Sequence, residues 1–333
     1  MYTGCNVNFN DVIGQSEVVD SLKAVLKDDS TRHAYIFSGP EGIGKRTVAR
    51  IFAASLLCSA RNSEDRCEQC QPCQLFNSGN NPDFFVMEAE GASISVDEVR
   101  RMQQDISVRP LYSGKKVYLI IDADKMTVQA QNCLLKTLEE PPGYAVIILT
   151  ASNSNSLLET IRSRSIIYNF RKNTDDEIRA CILKSGAIYS GSIDFIVSYA
   201  EGVPGKALKL LESEDFRAIR DKAIEIIIKL KDSKLIEVFN IYDFFEENKD
   251  NIDTILDIML LFYRDLLIAK KSGNENILIN SDKKDIILKN VDRFAISKLI
   301  ENIASIENTR RNIKQNANYQ LVIEVMLMKL QEE

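Results

Sequence analysis

The chain has 333 residues, of which 45% are hydrophobic and 27% are charged, and this composition excludes a wholly disordered protein. The net charge of −6 is not that of a generally basic nucleic-acid-binding protein. A single histidine excludes catalysis that depends on several histidines. At about 100–200 residues per domain, the length predicts two or three domains.

The N-terminus and the apolar runs bear on the location of the protein. The apolar runs are too short to cross a bilayer. The N-terminus, MYTGCNVNFND, lacks the basic start and the apolar stretch of a signal peptide. We therefore expect a cytoplasmic protein, in which the seven cysteines do not form a disulfide framework.

Short apolar runs alternate with helical stretches in the first 170 residues. The runs that predict buried strands are HAYIFSG, FFVME, KVYLIID, YAVIILTA and SIIYNF. The stretches that predict helices between them are VVDSLKAVLK, RTVARIFAASLL, SVDEVRRMQQDI and VQAQNCLLKTLEE. This alternation predicts an α/β domain with a parallel sheet covered by helices on both faces.

The remainder of the chain has little turn punctuation. All seven prolines lie at or before Pro204, and Gly273 is the only glycine after Gly205. We therefore expect the C-terminal part to be almost entirely helical. One polar segment, KKSGNENILINSDKKD, predicts an exposed loop between helices.

A glycine-rich turn lies between the first predicted strand and the next helix. Gly39, Gly44 and Lys45 fit the pattern G-x-x-x-x-G-K, in which backbone N–H groups surround phosphate and the lysine reaches it. The next residue, a Ser or Thr that holds Mg²⁺ in this pattern, is Arg46, and Thr47 follows one step late. The pattern predicts a P-loop. Nucleotide binding stays open, because Arg46 removes the metal-ligating hydroxyl, although an arginine can also contact phosphate itself.

The third predicted strand, KVYLIID, ends in an acid. Asp122 is thereby placed at the carboxyl edge of the sheet, where P-loop folds hold an aspartate associated with Mg²⁺. The alternative is an aspartate that only caps the next helix. The following residue is Ala123, which can do no acid–base chemistry. Together, Arg46 and Ala123 predict that this chain does not hydrolyse ATP in its own site.

Four cysteines lie close together in CSARNSEDRCEQCQPC. Cys58, Cys67, Cys70 and Cys73 have the spacing C-x8-C-x2-C-x2-C. Four thiolates can complete a tetrahedral shell with no open position, which predicts a structural Zn²⁺. An iron–sulfur cluster and unligated surface thiols are the alternatives.

A pair of arginines precedes the last predicted strand. Arg162 and Arg164 lie on either side of Ser163. An arginine supplied by one subunit can stabilise phosphoryl transfer in the site of another. On composition alone, a solvated loop arginine is the simpler interpretation.

Taken in order, several segments resemble one family. They are NFNDVIGQ, GPEGIGKRT, the four-cysteine insert, NPDFFVME, ISVDEVRRM, LLKTLEEPP, SRS and EGVPGKAL. In this order they resemble the AAA+ clamp-loader subunits of bacterial DNA polymerase III. The resemblance covers residues 1 to about 215 strongly. Beyond that point it depends on the helical architecture and the closing NYQLVIEVMLMKL.

The resemblance implies roles for individual residues. Ser163 and Arg164 match the start of the family's Ser-Arg-Cys motif, with Ser165 in place of the cysteine, so Arg164 would be an arginine finger for a neighbouring subunit. The cysteines match the family's zinc module. The residues that match or lie within the family's nucleotide-binding segments are Val12, Ile13, Gly39, Gly42, Gly44, Lys45, Arg46, Thr47 and Asp122.

Three positions depart from an active ATPase of this family. Arg46 replaces the Walker A Ser or Thr, Ala123 replaces the Walker B glutamate, and Gly205 occupies the place of the sensor-2 arginine. These departures indicate a structural subunit rather than the ATPase subunit. Whether ATP or ADP occupies the site stays open.

The resemblance also implies an architecture and partners. We expect a RecA-like AAA+ domain at 1–170 with its zinc module at 58–73, a helical lid at 171–235 and a helical collar at 236–333 that joins the subunits. The partners would be the ATPase subunits and delta, with the sliding clamp and primed DNA met through the assembly, in the DNA polymerase III holoenzyme. The rival hypotheses are an active clamp-loader ATPase, a non-replicative AAA+ protein and a zinc-dependent nucleic-acid binder.

Overall fold

A computed structural model describes residues 8–61, 65–89, 91–186, 193–212, 216–231, 235–272 and 277–332. Residues 1–7, which begin the segment used to exclude a signal peptide, lie outside this part of the chain. The chain forms two compact units, Met1–Gly186 with Ala200–Leu208, and Ala187–Tyr199 with Lys209–Glu333. The division into domains at 1–170, 171–235 and 236–333 stays a prediction.

The first unit contains a five-stranded parallel sheet in the order β2-β3-β4-β1-β5. The strands are β1 (Ala34–Ser38), β2 (Phe84–Met87), β3 (Lys116–Ile120), β4 (Ala145–Ala151) and β5 (Ile166–Asn169). Each coincides with a predicted apolar run. In β1, β3 and β4 every residue is buried, as expected for central strands with both faces covered.

Helices cover the two faces of this sheet. Their bounds are α1 (Ser16–Lys27), α2 (Lys45–Leu57), α3 (Gln71–Asn77), α4 (Val96–Ile106), α5 (Val128–Glu139), α6 (Glu159–Arg162) and α7 (Asp175–Ser185). Residues of α1 and α2 form one apolar cluster with alternate strand residues, whereas residues of α4 and α5 form a second cluster with the others. The predicted two-sided α/β layer is therefore confirmed.

Side-chain caps fix where several of these helices begin. Ser95 and Glu98 form a capping box at the start of α4, and Thr174 and Glu177 form another at α7. The hydroxyl of Thr127 accepts a hydrogen bond from a backbone N–H in the first turn of α5. These caps satisfy N–H groups that the helix itself leaves without partners, so they place each helix against the sheet at a defined residue.

The second half of the chain is helical. Its helices are α8 (Ile193–Ala200), α9 (Pro204–Glu212), α10 (Phe216–Leu230), α11 (Leu235–Glu247), α12 (Ile252–Ser272), α13 (Lys284–Asn290), α14 (Ile296–Lys314) and α15 (Tyr319–Gln331). Within the described residues, no strand follows β5, which confirms the helical prediction. In the part of the chain that the structure describes, no helix is long and apolar enough to cross a membrane.

The predicted exposed loop after α12 is wrong at Leu278 and Asn280, which are buried, whereas Ile277, Ser281 and Asp282 are exposed; residues 273–276 lie outside the described chain. Asn280 is 1% exposed, and Asp265 on α12 is completely buried. The Asp265 carboxylate accepts hydrogen bonds from the backbone N–H and side-chain amide of Asn280 at 2.7 and 2.8 Å. The Arg220 guanidinium donates two bonds of 2.7 Å to Asp282. Two polar residues of the segment, Asn280 and Asp282, thus satisfy the charges of the buried Asp265 and Arg220.

Candidate functional site

The P-loop connects β1 to α2 at the carboxyl edge of the sheet. Gly42 and Gly44 have φ angles of 77° and 105°, in the left-handed region that favours glycine. A Cβ atom at Gly42 would also lie 3.1 Å from the Val203 side chain. The sequence pattern therefore has a local structural cause, since larger residues would strain this turn.

Lys45 is the first residue of α2, and its side chain reaches back into the P-loop. It is only 7% exposed, and its Nζ donates hydrogen bonds to the carbonyl oxygens of Gly39 and Pro40 at 2.6 and 2.9 Å. Burial lowers the pKa of Lys45, although the charges of Asp122 and Asp124 oppose this shift. The acids beside the loop thus help to keep a buried cation in its charged form.

A cavity of about 350 Å³ lies beside the P-loop. It brings together five of the predicted nucleotide-binding residues, and these are Val12, Ile13, Gly42, Gly44 and Thr47. Gly39, Lys45, Arg46 and Asp122 are not among its lining residues. The volume suits part of a nucleotide, with the P-loop at one side of it.

Sequence reasoning missed two residues of α7 that line the same cavity. They are Cys181 and Lys184. The Nζ of Lys184 donates to the Asp11 carboxylate at 2.7 Å, across 173 positions of sequence. This hydrogen bond holds the pKa of Asp11 below its usual value. No local pattern links residues so far apart, so only the fold reveals this contact.

Asp122 lies two residues beyond β3, at the edge where the P-loop also lies. Its backbone is in the left-handed region, with φ of 50°, and its carboxylate accepts a hydrogen bond of 3.1 Å from Lys125. Ala123 is completely buried in the cluster beneath the sheet. Asp124 instead accepts hydrogen bonds from the backbone N–H and hydroxyl of Ser152.

Arg46 is the second residue of α2, the helix that leaves the P-loop, and its guanidinium forms two contacts with Glu88, at 3.0 and 3.1 Å. A P-loop fold implies Mg²⁺ held by a hydroxyl at this position and by the strand-ending acid. Here the hydroxyl is replaced by a cation, and Lys125 binds the carboxylate of Asp122. The residues present therefore do not fit a Mg²⁺ ion.

Arg164 lies between α6 and β5 and is not part of the cavity lining. Its guanidinium donates 2.9 Å to the Glu139 carboxylate at the end of α5 and 3.1 Å to the Thr160 carbonyl. Ser163 caps α6, and its hydroxyl also donates to Thr160, at 3.1 Å. The Arg164 side chain stays 36% exposed, so these bonds orient the guanidinium without burying it.

The four predicted cysteines meet between the end of α2 and the first turn of α3. The Sγ of Cys58 lies 3.6 Å from that of Cys67 and 3.8 Å from that of Cys70, and all four sulfurs, including Cys73, lie within 4.8 Å of one another. Tetrahedral zinc bonds of about 2.3 Å separate sulfurs by about 3.8 Å. The residues therefore fit a structural zinc ion, and Cys73, at 2% exposed, closes the shell from the core side.

The protonation of these thiols is uneven. Burial raises the pKa of Cys58 and of Cys73. Burial opposes ionisation of Cys70 as well, but hydrogen bonds from Ser59 and Cys73 outweigh it and lower the pKa to about 6. Without a metal, the cluster would thus hold neutral thiols beside a thiolate, whereas a bound cation displaces the remaining protons.

Comparison with known proteins identifies relatives along nearly the whole chain. Residues 14–174 match the family model of the DNA polymerase III delta subunit, and residues 214–332 match the model of its C-terminal part. The DNA polymerase III subunit delta' of Bacillus subtilis is 30% identical over 322 residues, which are 96% of this chain and 96% of that protein.

Two further relatives carry related names. Subunit delta' of Pseudomonas aeruginosa is 43% identical over 136 residues, 40% of this chain and 42% of that protein. Subunit tau of Bacillus subtilis is 29% identical over 97% of this chain, which spans only 61% of that protein. Together with the parallel α/β sheet and the helical second half, these matches confirm the resemblance inferred from the sequence. The chain belongs to the delta-prime subunit family of DNA polymerase III clamp loaders.

Proposed function

We propose that this chain acts as a structural subunit of the clamp loader, in which it helps to place a ring-shaped sliding clamp on primed DNA in the cytoplasm. The observation that carries the proposal is the match to a delta' subunit over 96% of both chains. Its partners are the ATPase subunits and delta. The helical collar at 236–333 joins them, and the lid at 171–235 connects the collar to the AAA+ domain.

Arg164 is the chemical contribution of the chain to a neighbouring ATP site. Its guanidinium is oriented by Glu139 and by the Thr160 carbonyl, yet it remains partly exposed and lies outside the cavity of its own chain. An arginine held in this way can reach the charge that develops on a transferred phosphoryl group. Ser163 supports it by capping the short helix before it.

The chain's own site does not hydrolyse ATP. Arg46 lacks the hydroxyl that a metal requires, and the methyl group of Ala123 is buried in the core. Gly205, at the position of the sensor-2 arginine, packs on the P-loop itself. A Cβ there would lie 2.8 Å from the Cα of Gly42, and the Gly205 N–H already donates to the Gly42 carbonyl at 2.9 Å. A larger side chain has no room at this contact.

The cavity and the cysteines have structural roles in this proposal. ATP or ADP binds beside the P-loop and stays intact, because the groups that hydrolyse it are missing. A zinc ion bound by the four cysteines ties the end of α2 to the start of α3, since these cysteines belong to both segments. Both ligands would stiffen the AAA+ domain against the moving ATPase subunits.

The finger is tested with the reconstituted clamp loader, measured with clamp and primed DNA. We expect Arg164→Ala to lower ATP turnover by roughly 10³-fold or more, the range for an arginine supplied in trans. Arg162→Ala is the matched control, because it removes the same charge two residues away, where the side chain donates to Asn155 at 2.6 Å. Equal turnover of the two variants, with the complex intact, would contradict the assignment of Arg164 as the arginine finger.

An active ATPase subunit is the second candidate, favoured by the 29% identity to subunit tau over 97% of this chain. It predicts steady ATP hydrolysis by the isolated chain, lost in Lys45→Ala. The structural role predicts none.

A further inference from the structure

The charged groups beside the P-loop are already paired with one another. Glu88, just after β2, binds the Arg46 guanidinium at 3.0 and 3.1 Å, and Asp122, just after β3, binds Lys125 at 3.1 Å. Two side-chain cations thus form ion pairs with two acids at the carboxyl edge of the sheet, close to the P-loop. The buried amine of Lys45 adds a third positive charge.

We propose that the site binds a nucleoside di- or triphosphate as the free anion, without Mg²⁺, and that Arg46 supplies the positive charge that the metal supplies elsewhere. This inference rests on the proposed occupancy of the cavity by a nucleotide. It differs from that proposal because it names the ionic form of the ligand and the residue that recognises it.

The position of Arg46 suits this task. It is the second residue of α2, a helix of 13 residues whose N-terminus favours an anion through its free N–H groups and its dipole. A guanidinium can donate two parallel hydrogen bonds to phosphate oxygens, which a hydroxyl cannot do.

The contact with Glu88 does not prevent this. The side chains of Arg46 and Glu88 are 53% and 48% exposed, so their ion pair lies in water and holds its partners weakly. Arg46 can turn from the carboxylate to a bound phosphate with little loss.

The same geometry disfavours a metal ion. Thr47 cannot replace the missing hydroxyl, because successive helix residues point about 100° apart, and Thr47 lines the cavity instead. A divalent cation at Asp122 would compete with Lys125, whose exposed ion pair is itself weak, and would approach the charge of Arg46. Residues of the chain therefore neutralise the phosphate charge that Mg²⁺ neutralises in other P-loop proteins.

The test is a titration of the purified full chain with a fluorescent ADP analogue, once with millimolar Mg²⁺ and once with EDTA. We expect the two dissociation constants of the wild-type chain to agree within about twofold. Arg46→Thr restores the hydroxyl, and its affinity in EDTA should fall by about tenfold or more. With Lys125→Ala added, the double variant should recover affinity when Mg²⁺ is present.

Three controls separate recognition from folding. Arg46→Lys retains a cation and should keep binding that is independent of Mg²⁺, although more weakly, because the fork is lost. Arg100→Ala removes an arginine of similar exposure on α4 and should change neither constant. Binding of AMP should be insensitive to Arg46→Thr, since the arginine recognises the outer phosphates.

The outcomes distinguish this inference from the occupancy on which it rests. If the wild-type chain binds about tenfold more tightly with Mg²⁺ than with EDTA, the inference is wrong while nucleotide occupancy stands. If the analogue binds under neither condition, occupancy fails and this inference fails with it. The role of Arg164 in the assembled clamp loader is unaffected by either result.

Discussion

The cysteine site and the P-loop edge of the sheet differ in how their residues are assembled. The four cysteines lie within 16 positions of sequence, from Cys58 to Cys73, and their sulfurs have separations that suit one zinc ion. The P-loop edge combines residues from three separate turns, where Arg46 pairs with Glu88 and Lys125 pairs with Asp122. One site has sulfur separations that fit a metal ion. The other has the backbone of a P-loop and, in the proposed function, lacks the groups for hydrolysis.

The difference teaches that a motif can retain its fold while its chemistry changes. The glycines of the P-loop are needed by the backbone, because Gly42 and Gly44 have positive φ angles and Gly42 packs on Gly205. Such residues stay whether or not ATP is hydrolysed. In the proposed function, the residues at positions 46, 123 and 205 are the ones that differ from those of an active ATPase. Substitutions at the two sites should therefore have different consequences, for stability at one and for chemistry at the other.

The largest effect is expected from the cysteine site. Cys73→Ser removes a buried ligand, and we expect the purified chain to lose its stoichiometric zinc. Structural zinc contributes roughly 10–16 kcal/mol in small zinc domains, so the loss of stability should exceed that of the substitutions at positions 123, 184 and 205. Metal analysis and chemical unfolding measure it. Cys181→Ser, outside the cluster, should keep its zinc, and full zinc in Cys73→Ser would contradict the site.

A smaller loss of stability is expected from Ala123→Glu, which places a glutamate at the position of the family's Walker B glutamate. Ala123→Glu places a carboxylate in the core beneath the sheet, and an unpaired buried charge costs about 3–5 kcal/mol. We expect lower stability and no gain of ATP hydrolysis. Ala123→Val, an apolar change at the same place, separates the charge from the added size. A stable variant that hydrolyses ATP would show that position 123 alone had silenced the site.

Gly205→Arg places an arginine at the position of the family's sensor-2 residue. It should lower the free energy of unfolding by less than Ala123→Glu does. In Gly205→Arg the new Cβ would lie 2.8 Å from the Cα of Gly42, and overpacking of this kind costs about 1–3 kcal/mol. We expect a lower midpoint in urea and weaker nucleotide binding. Gly143→Ala is the control, because nothing lies near its Cβ position. An unchanged midpoint for Gly205→Arg would mean that the turn moves freely away from the P-loop.

The smallest effect is expected at the mouth of the cavity. The hydrogen bond from Lys184 holds the pKa of Asp11 below its usual value, so this pair stabilises the fold above the unfolded pKa of about 3.9 and loses that contribution as the pH falls through the lower folded value. Because the pair is exposed, Lys184→Ala should cost less than about 1 kcal/mol at neutral pH. The difference in the free energy of unfolding between Lys184→Ala and the wild type should shrink below about pH 4. A difference that grows on acidification would contradict the sign of this pairing.

Much of the fold follows from local sequence. The five strands were predictable because each is a short apolar run bounded by turns, and the central ones are buried throughout. The cysteine site was predictable because its four ligands lie in one segment. The P-loop was predictable because its glycines have a backbone cause.

The rest depends on contacts between distant residues. Glu88 and Lys125 carry no motif, yet they form ion pairs with Arg46 and Asp122 at the P-loop edge. Segment 277–283 is polar in sequence, and only the position of Asp265 shows that Asn280 is buried. Lys184 reaches Asp11 across 173 positions. In each case a charge is satisfied by a partner that the sequence pattern does not indicate.

Whether ATP bound to this chain alone is hydrolysed tests most directly the claim that the P-loop edge has no ATPase activity. The purified chain, with its zinc content measured, is incubated with ATP and Mg²⁺, and the bound nucleotide is then recovered and identified. We predict one zinc per chain and intact ATP, with no more ADP formed than in buffer. Accumulation of ADP that depends on Lys45 would contradict this prediction, because the P-loop edge would then hydrolyse ATP despite Arg46 and Ala123.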